Sequence, residues 1–307
     1  MRVVVTGATG MIGRALVSAL SERGDQPVGL VRERDRARGV LGAEIELHAW
    51  PEPKQAPPAP EGLAGADAVV HLLGEPIAQR WTPEAKREIR DSRVLGTRSL
   101  VAGLGALRAG RRPAVLVSQS ATGYYGPRGA EPVREDAAPG DDFLAVVTRD
   151  WEHEALAAAA LGVRVALTRT GVVLSPRGGA LATMLPPFRL GLGGPVAGGR
   201  QYVPWIHLDD VVGALLRCVR DADAAGPVNL TAPDPATNAE LARALGRALR
   251  RPAIVPVPAA ALRLLYGEMA SVALTGQRAL PARLQELGYE FRHPGLEAAL
   301  RDVLDRK

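Results

Sequence analysis

Three β-branched residues, Val3-Val4-Val5, run directly into Thr6-Gly7-Ala8-Thr9-Gly10-Met11-Ile12-Gly13, and an amphipathic helix follows at once. A short apolar run of this kind suits a central strand buried on both faces. Ile12, Ala15, Leu16, Ala19 and Leu20 recur on one face of the following stretch, as a helix packed on that strand requires. Between them the glycines have separate tasks. Gly7 permits the tight turn, Gly10 lets backbone approach a pyrophosphate, and Gly13 lets the helix pack close to the strand. The unpaired amides and positive dipole end of the helix favour a phosphate. This opening predicts an α/β fold that binds a nucleotide at its first helix; the competing reading is a glycine turn with no ligand.

The remainder alternates strand and helix patterns, which predicts a Rossmann-type doubly wound parallel sheet. Further strands are expected at Pro27–Val31, near Glu44–His48, at Asp67–Gly74, at Ala114–Val117 and at Val163–Thr168. A long helix should begin at Thr82-Pro83-Glu84, with Thr82 as N-cap and Pro83 in the first turn. Asp141–Leu161 and Val211–Arg220 read as helices. Pro51–Pro60 reads as a surface loop. From about residue 175 glycines multiply, marking loops that reach over the sheet. The expected division is a nucleotide-binding domain over 1–230, with loops from 175–205 reaching the pocket, and a smaller mixed C-terminal lobe over 231–307. That lobe holds two or three helices and a Pro-rich strand, Pro252–Pro258.

The second strand ends in Arg32-Glu33-Arg34. An acid at that tip suits the ribose hydroxyl of NAD, and an arginine suits a 2′-phosphate, so NADP(H) is favoured over NAD(H). The competing reading is a solvated charge run, Arg32 to Arg38. Net charge is +5, with 35 arginines and only three lysines among the 38 basic residues. The arginines are scattered and lack interleaved aromatics, so a nucleic-acid partner is not expected. No apolar run approaches a membrane span and no signal peptide pattern is present, so no membrane partner is expected. A lone cysteine, Cys218, excludes an internal disulfide and suits a cytoplasmic location. The expected partner is a small-molecule substrate, with the protein a monomer or homodimer.

The Gly-x-x-Gly-x-x-Gly spacing resembles that of extended short-chain dehydrogenases/reductases. Leu72-Leu73-Gly74-Glu75-Pro76-Ile77, Arg80-Trp81-Thr82, Ser92-Arg93, Gly123-Tyr124-Tyr125-Gly126, Trp151-Glu152, Arg169 to Leu174, Gly191 to Pro195 and Pro204 to His207 narrow the resemblance. They resemble the atypical branch labelled "epimerase family" (YfcH-like), which has its own C-terminal domain. With the glycine turn, the resemblance implies cofactor contacts at Thr6, Gly7, Thr9, Gly10, Met11, Ile12, Gly13, Arg32, Leu72, Leu73, Gly74, Glu88, Arg93, Ser118 and Val173. Glu88 and Arg93 share one predicted helix with Lys86, which could equally be a solvated, salt-bridged helix.

Chemistry is harder to place. In the wider superfamily a Tyr-x-x-x-Lys pair moves the proton while hydride passes to or from nicotinamide, and a Ser orients the carbonyl. No tyrosine here has a lysine four residues later. The candidate catalytic residues are therefore Ser120, Tyr124, Tyr125 and His207. Either tyrosine could instead pack in the core or line the pocket wall, and His207 could cap a helix. Two functions remain open: an oxidoreductase or epimerase acting on a small polar or nucleotide-linked carbonyl or alcohol, and a catalytically silent NADP(H)-binding sensor or scaffold.

Overall fold

The structure is a computed structural model that describes residues 1–305. Seven strands form the central sheet: β1 (Arg2–Thr6), β2 (Gln26–Val31), β3 (Glu46–Ala49), β4 (Ala68–His71), β5 (Val115–Ala121), β7 (Arg164–Thr170) and β11 (Gly226–Leu230). Their order is β3-β2-β1-β4-β5-β7-β11, and every pairing is parallel. The strand order reverses beside β1, so the crevice for a ligand opens at its carboxyl end, above the glycine turn.

Alternation along β1 explains the two layers. Val3 and Val5 face α1 (Met11–Glu22) and α6 (Leu208–Arg220), joining Leu16, Val17, Leu20, Val211 and Leu215 in one core. Val4 faces the other way, toward Leu100 and Leu104 of α3 (Pro83–Ala106) and Ala155 of α4 (Phe143–Leu156). A strand with period-two side chains and helices on both sides buries every position, which is why β1 reads as an unbroken apolar run. Thr82 caps α3 by accepting from the Ala85 amide at 3.2 Å, with Pro83 in the first turn. The helix expected over Asp141–Leu161 is α4, capped by Asp142, and its last residues tighten into a 3-10 turn over Ala157–Leu161.

The remaining helices are α2 (Arg34–Leu41), α5 (Gly179–Arg189), α7 (Asn238–Leu249), α8 (Ala259–Tyr266), α9 (Ser271–Leu274), α10 (Ala282–Glu286) and α11 (Leu296–Asp305). Leu181, Leu185 and Phe188 of α5 pack with Trp205, with Leu241 and Leu245 of α7, and with Leu300 and Val303 of α11. The small lobe thus shares its core with a helix that precedes β11. Short ladders fasten the layers further: β6 (Pro132–Val133) with β13 (Arg278–Ala279), β8 (Val172–Leu174) with β10 (Trp205–His207), and β9 (Tyr202–Val203) with β12 (Ala236–Thr237). The Pro-rich strand expected over 252–258 does not form. That stretch is extended and makes one isolated bridge, Val196 to Val257, because Pro252, Pro256 and Pro258 have no amide to extend a ladder.

Candidate functional site

Gly7 sits at φ +62°, and a Cβ there would lie 2.6 Å from the Leu72 carbonyl oxygen. At Gly13 a Cβ would lie 2.3 Å from the Gly7 oxygen and 2.7 Å from the Ala8 Cα. Both glycines are demanded by the close approach of turn, helix and β4. Gly10 differs. Its φ of −72° and ψ of 173° suit any residue, and an added Cβ would meet only the Gly7 oxygen, at 3.2 Å. Gly10 is also the N-cap of α1, no side chain caps that helix, and its first turn holds no acid. Thr9 and Gly10 are exposed, and Met11 and Ile12 are half-buried. The result is a helix end with free amides and open space above its first glycine, a cradle that fits a pyrophosphate.

Two candidate contacts have other work. Thr6 is completely buried, and its hydroxyl accepts from the Leu72 amide at 3.0 Å while lying 2.8 Å from His71 Nδ1. Nε2 of His71 in turn lies 2.9 Å from the Thr97 hydroxyl, so both ring nitrogens have a hydroxyl partner. Burial pushes the His71 imidazole down to about 3, so it stays neutral. Thr6 therefore braces the cradle from beneath rather than touching a cofactor. Ser118 is likewise completely buried and offers no surface to the crevice. His71 escaped the sequence reading, since a histidine ending an apolar strand has no local signature.

Around the rim, Arg32 follows β2 directly, is exposed, and makes no ion pair among the described residues. Leu72 and Leu73 are half-buried and Gly74 is exposed beside the Arg93 guanidinium. Arg93 donates to the Glu75 and Ile89 carbonyls at 2.9 and 3.0 Å and lies over the Trp151 ring. Burial pushes its pKa down to about 10, which leaves it cationic at neutral pH. Glu88 does not join Arg93; its carboxylate is paired with Lys54 at 2.7 Å. Val173 is buried in β8.

At the carboxyl end of β5 the candidate catalytic residues separate. Ser120 is buried and donates to Glu152 Oε1 at 2.5 Å. The same carboxylate takes two bonds from Arg169, both 2.8 Å. Arg169 Nη1 also donates to the Tyr125 hydroxyl at 3.0 Å, and Tyr125 donates to Asn229 Oδ1 at 2.7 Å. Burial opposes the Arg169 cation, yet the bidentate carboxylate and the Tyr125 oxygen hold its pKa above the ordinary guanidinium value. Tyr125 is fully buried, and burial pushes its phenol up to about 12. Tyr125 is thus a bolt between β7 and β11, which corrects its candidacy as a proton donor. Tyr124 is half-buried, its ring lies 3.5 Å from the Arg169 guanidinium carbon, and its hydroxyl has no hydrogen bond among the described residues. The turn of α4 that faces this loop carries Leu144 and Thr148, both near Gly123.

His207 stands apart from this group. Its Nδ1 accepts from the Asp209 amide at 3.0 Å, making it the N-cap of α6. Its ring stacks on His293 at 3.8 Å, and its Nε2 lies 3.1 Å from Asp302 Oδ2. Ligand atoms of His207, Asp209, His293 and Asp302 lie within 4.8 Å of one another. A metal-bound imidazole ordinarily donates its second ring N–H, whereas Nδ1 here accepts, and the positive end of α6 lies beside it. His207 thus caps α6 and packs against His293 and Asp302, a setting separate from the hydrogen-bonded group of Ser120, Glu152, Arg169 and Tyr125.

Sheet order, glycine turn and a smaller C-terminal region define an atypical extended short-chain dehydrogenase/reductase. The family model for the NAD dependent epimerase/dehydratase family matches residues 3–230, and a domain of unknown function (DUF1731) matches residues 257–303. The chain belongs to the NAD-dependent epimerase/dehydratase family. It is 42% identical over 308 residues to the chloroplastic "Epimerase family protein SDR39U1 homolog" of Arabidopsis thaliana, covering 99% of this chain and 87% of that one. An epimerase family protein of Mycobacterium bovis is 42% identical over 300 residues, covering 97% and 96%. The crystal structure of human epimerase family protein SDR39U1 (isoform 2) with NADPH superposes with a TM-score of 0.87 at 35% identity, covering 100% of both chains. A Bacillus cereus UDP-glucuronic acid 4-epimerase shares the fold at 16% identity, with a TM-score of 0.79.

Proposed function

We propose that this protein binds NADP(H) at the glycine cradle and uses it on a small polar or nucleotide-linked carbonyl or alcohol. The observation that carries the reading is the bare N-terminus of α1, with Gly10 as an uncapped cap, together with Arg32, which has no ion pair among the described residues and follows β2, the neighbour of β1. The human relative that contains NADPH supports the same cofactor. When bound, the nicotinamide supplies or accepts a hydride at the carbonyl carbon.

The chain's own part is to hold the substrate and move a proton. Tyr124 is the group for that task. Its hydroxyl is not committed elsewhere, and its ring is fixed by the Arg169 guanidinium at 3.5 Å. In the reducing direction the phenol gives its proton to the carbonyl oxygen as hydride reaches the carbon, and water reprotonates the phenolate. Arginine cannot serve as a relay at neutral pH, so no lysine-like assistance is available from Arg169. General acid help is worth up to about 10²–10⁴ in rate, and a tyrosine without a lysine partner should deliver only part of it, so turnover of ordinary carbonyl substrates should be weak.

A catalytically silent sensor or scaffold is the second reading, favoured by the engagement of Ser120 with Glu152. NADPH oxidation across a panel of polar aldehydes and ketones separates them. The enzymatic reading expects a few slow hits that Tyr124→Phe suppresses. The silent reading expects none, while NADPH still raises the melting temperature. Robust turnover that survives Tyr124→Phe would overturn the placement of the proton.

A further inference from the structure

Residues 241–267 carry five arginines and not one Asp or Glu. Four of the five, Arg243, Arg247, Arg250 and Arg251, meet at the end of α7 and line an open hollow of about 330 Å³ whose rim includes Ile254. Arg247 is paired with Glu297. Arg243, Arg250 and Arg251 are exposed and have no ion pair or side-chain hydrogen bond among the described residues. Arg250 ends the helix at φ +53°, a left-handed position that glycine ordinarily takes.

Beside the arginines stand aliphatic side chains with no protein cover. Ile254 is 80% exposed, Leu190 74% and Leu192 59%. The two segments that carry them are adjacent, since the Val255 amide donates to the Gly193 carbonyl at 3.1 Å. Guanidinium groups next to protruding aliphatic chains have the two features that bring a protein onto an anionic bilayer. Aliphatic tips enter the acyl boundary while cations meet headgroup phosphates.

We infer that this face, built from Leu190, Leu192, Ile254, Arg243, Arg250 and Arg251, docks on the surface of a bilayer containing anionic phospholipid. The absence of a spanning run among the described helices does not bear on it, because surface contact needs no span. A second copy of the chain fits poorly, since a two-fold contact would set these arginines against themselves. A single-stranded nucleic acid would call for stacking aromatics, and the face has none.

The test is co-sedimentation of the full chain with vesicles of phosphatidylcholine alone or mixed with phosphatidylglycerol. Wild type should pellet with the anionic vesicles at least about tenfold more tightly than with neutral ones, and added salt should reverse it. Arg250→Glu/Arg251→Glu and Leu192→Ser/Ile254→Ser should each weaken binding roughly tenfold or more, with circular dichroism unchanged. The salt and lipid arms on wild type keep the test decisive if a variant misfolds. Three results would overturn the inference. One is no preference for anionic vesicles. Another is full competition by heparin with no effect of the Leu192→Ser/Ile254→Ser change, which marks a soluble polyanion site. The third is a fall in mass by light scattering in either variant, which marks self-association.

Discussion

Gly10 and Gly13 are predicted to fail in opposite ways, and the difference tests whether the turn is a phosphate cradle. Gly10→Ala adds a Cβ whose nearest neighbour is the Gly7 oxygen at 3.2 Å, on backbone that alanine adopts freely. Restricting the unfolded chain contributes about 0.4–1 kcal/mol, and a poorer N-cap costs a similar amount, so stability should stay within about 1 kcal/mol. Under the proposed reading the methyl group nevertheless stands where the pyrophosphate would sit. A ligand at a hundredfold its Kd stabilises by about 2.7 kcal/mol. With an unfolding entropy of about 2.1 cal/mol/K per residue over 307 residues, that is a rise of about 4 °C in wild type. If the site weakens a hundredfold, the same NADPH adds about 0.4 kcal/mol, under about 1 °C. Gly13→Ala should behave otherwise. Its Cβ would lie 2.3 Å from one backbone atom and 2.7 Å from another, so α1 or the turn must move. Overpacking of this kind costs about 1–3 kcal/mol, a drop of about 2–5 °C before any ligand is added. Thermal melts of three proteins with and without NADPH decide it. A full NADPH shift in Gly10→Ala would place the phosphates elsewhere.

Arg32→Ala should cut the preference for NADPH over NADH by about 1.5–3 kcal/mol, the worth of a charge-assisted phosphate contact, in paired fluorescence titrations. Equal affinities in wild type would sink the assignment. Tyr125→Phe leaves Asn229 Oδ1 and Arg169 short of a buried partner and should cost about 1–3 kcal/mol in denaturant melts, whereas Tyr124→Phe should stay within about 0.5 kcal/mol; the reverse order would mean the two rings are misplaced. His71 is neutral in the fold, with its pKa lowered to about 3, but protonates near 6.5 when unfolded. Its stability contribution is complete above that value and is lost progressively as pH falls from 6.5 toward 3. Wild type should thus be about 2 kcal/mol less stable at pH 5 than at pH 7 from this group. His71→Gln should remove that part of the pH dependence, and an unchanged slope would refute it.

What the sequence disclosed depends on how local the cause is. The glycine turn, the β1 run and the Thr82-Pro83 helix start each follow from a few neighbouring residues, and parallel strands joined by helices leave little freedom in sheet order. The 252–258 stretch misled because its Ile and Val content outweighed, on composition, prolines that remove the ladder's donors. Tyr124 and Tyr125 were inseparable as letters. They lie one residue apart on a 3-10 turn, Thr122–Tyr125, and only the tertiary fold aims one inward at Asn229 and leaves the other half-buried against Arg169. The bond between Arg169 and Glu152 joins a strand to a helix 17 residues upstream and has no periodic signature.

That bond also sets this fold apart from one built on a Tyr-x-x-x-Lys pair. In such a pair one helix supplies both the proton donor and its cation. Here α4 supplies Glu152, an anion, and the cation comes from β7 as Arg169. The two neutralise each other in a buried site, where either alone would be costly by about 3–5 kcal/mol. Ser120 and Tyr125 complete the coordination of that pair, so both hydroxyls are held by the frame. Tyr124 is the exception, touching the frame through its ring face and not through its oxygen. Under the proposed reading Tyr124 is the hydroxyl at this end of β5 without a hydrogen bond among the described residues, while Ser120 can take part only by giving up its bond to Glu152.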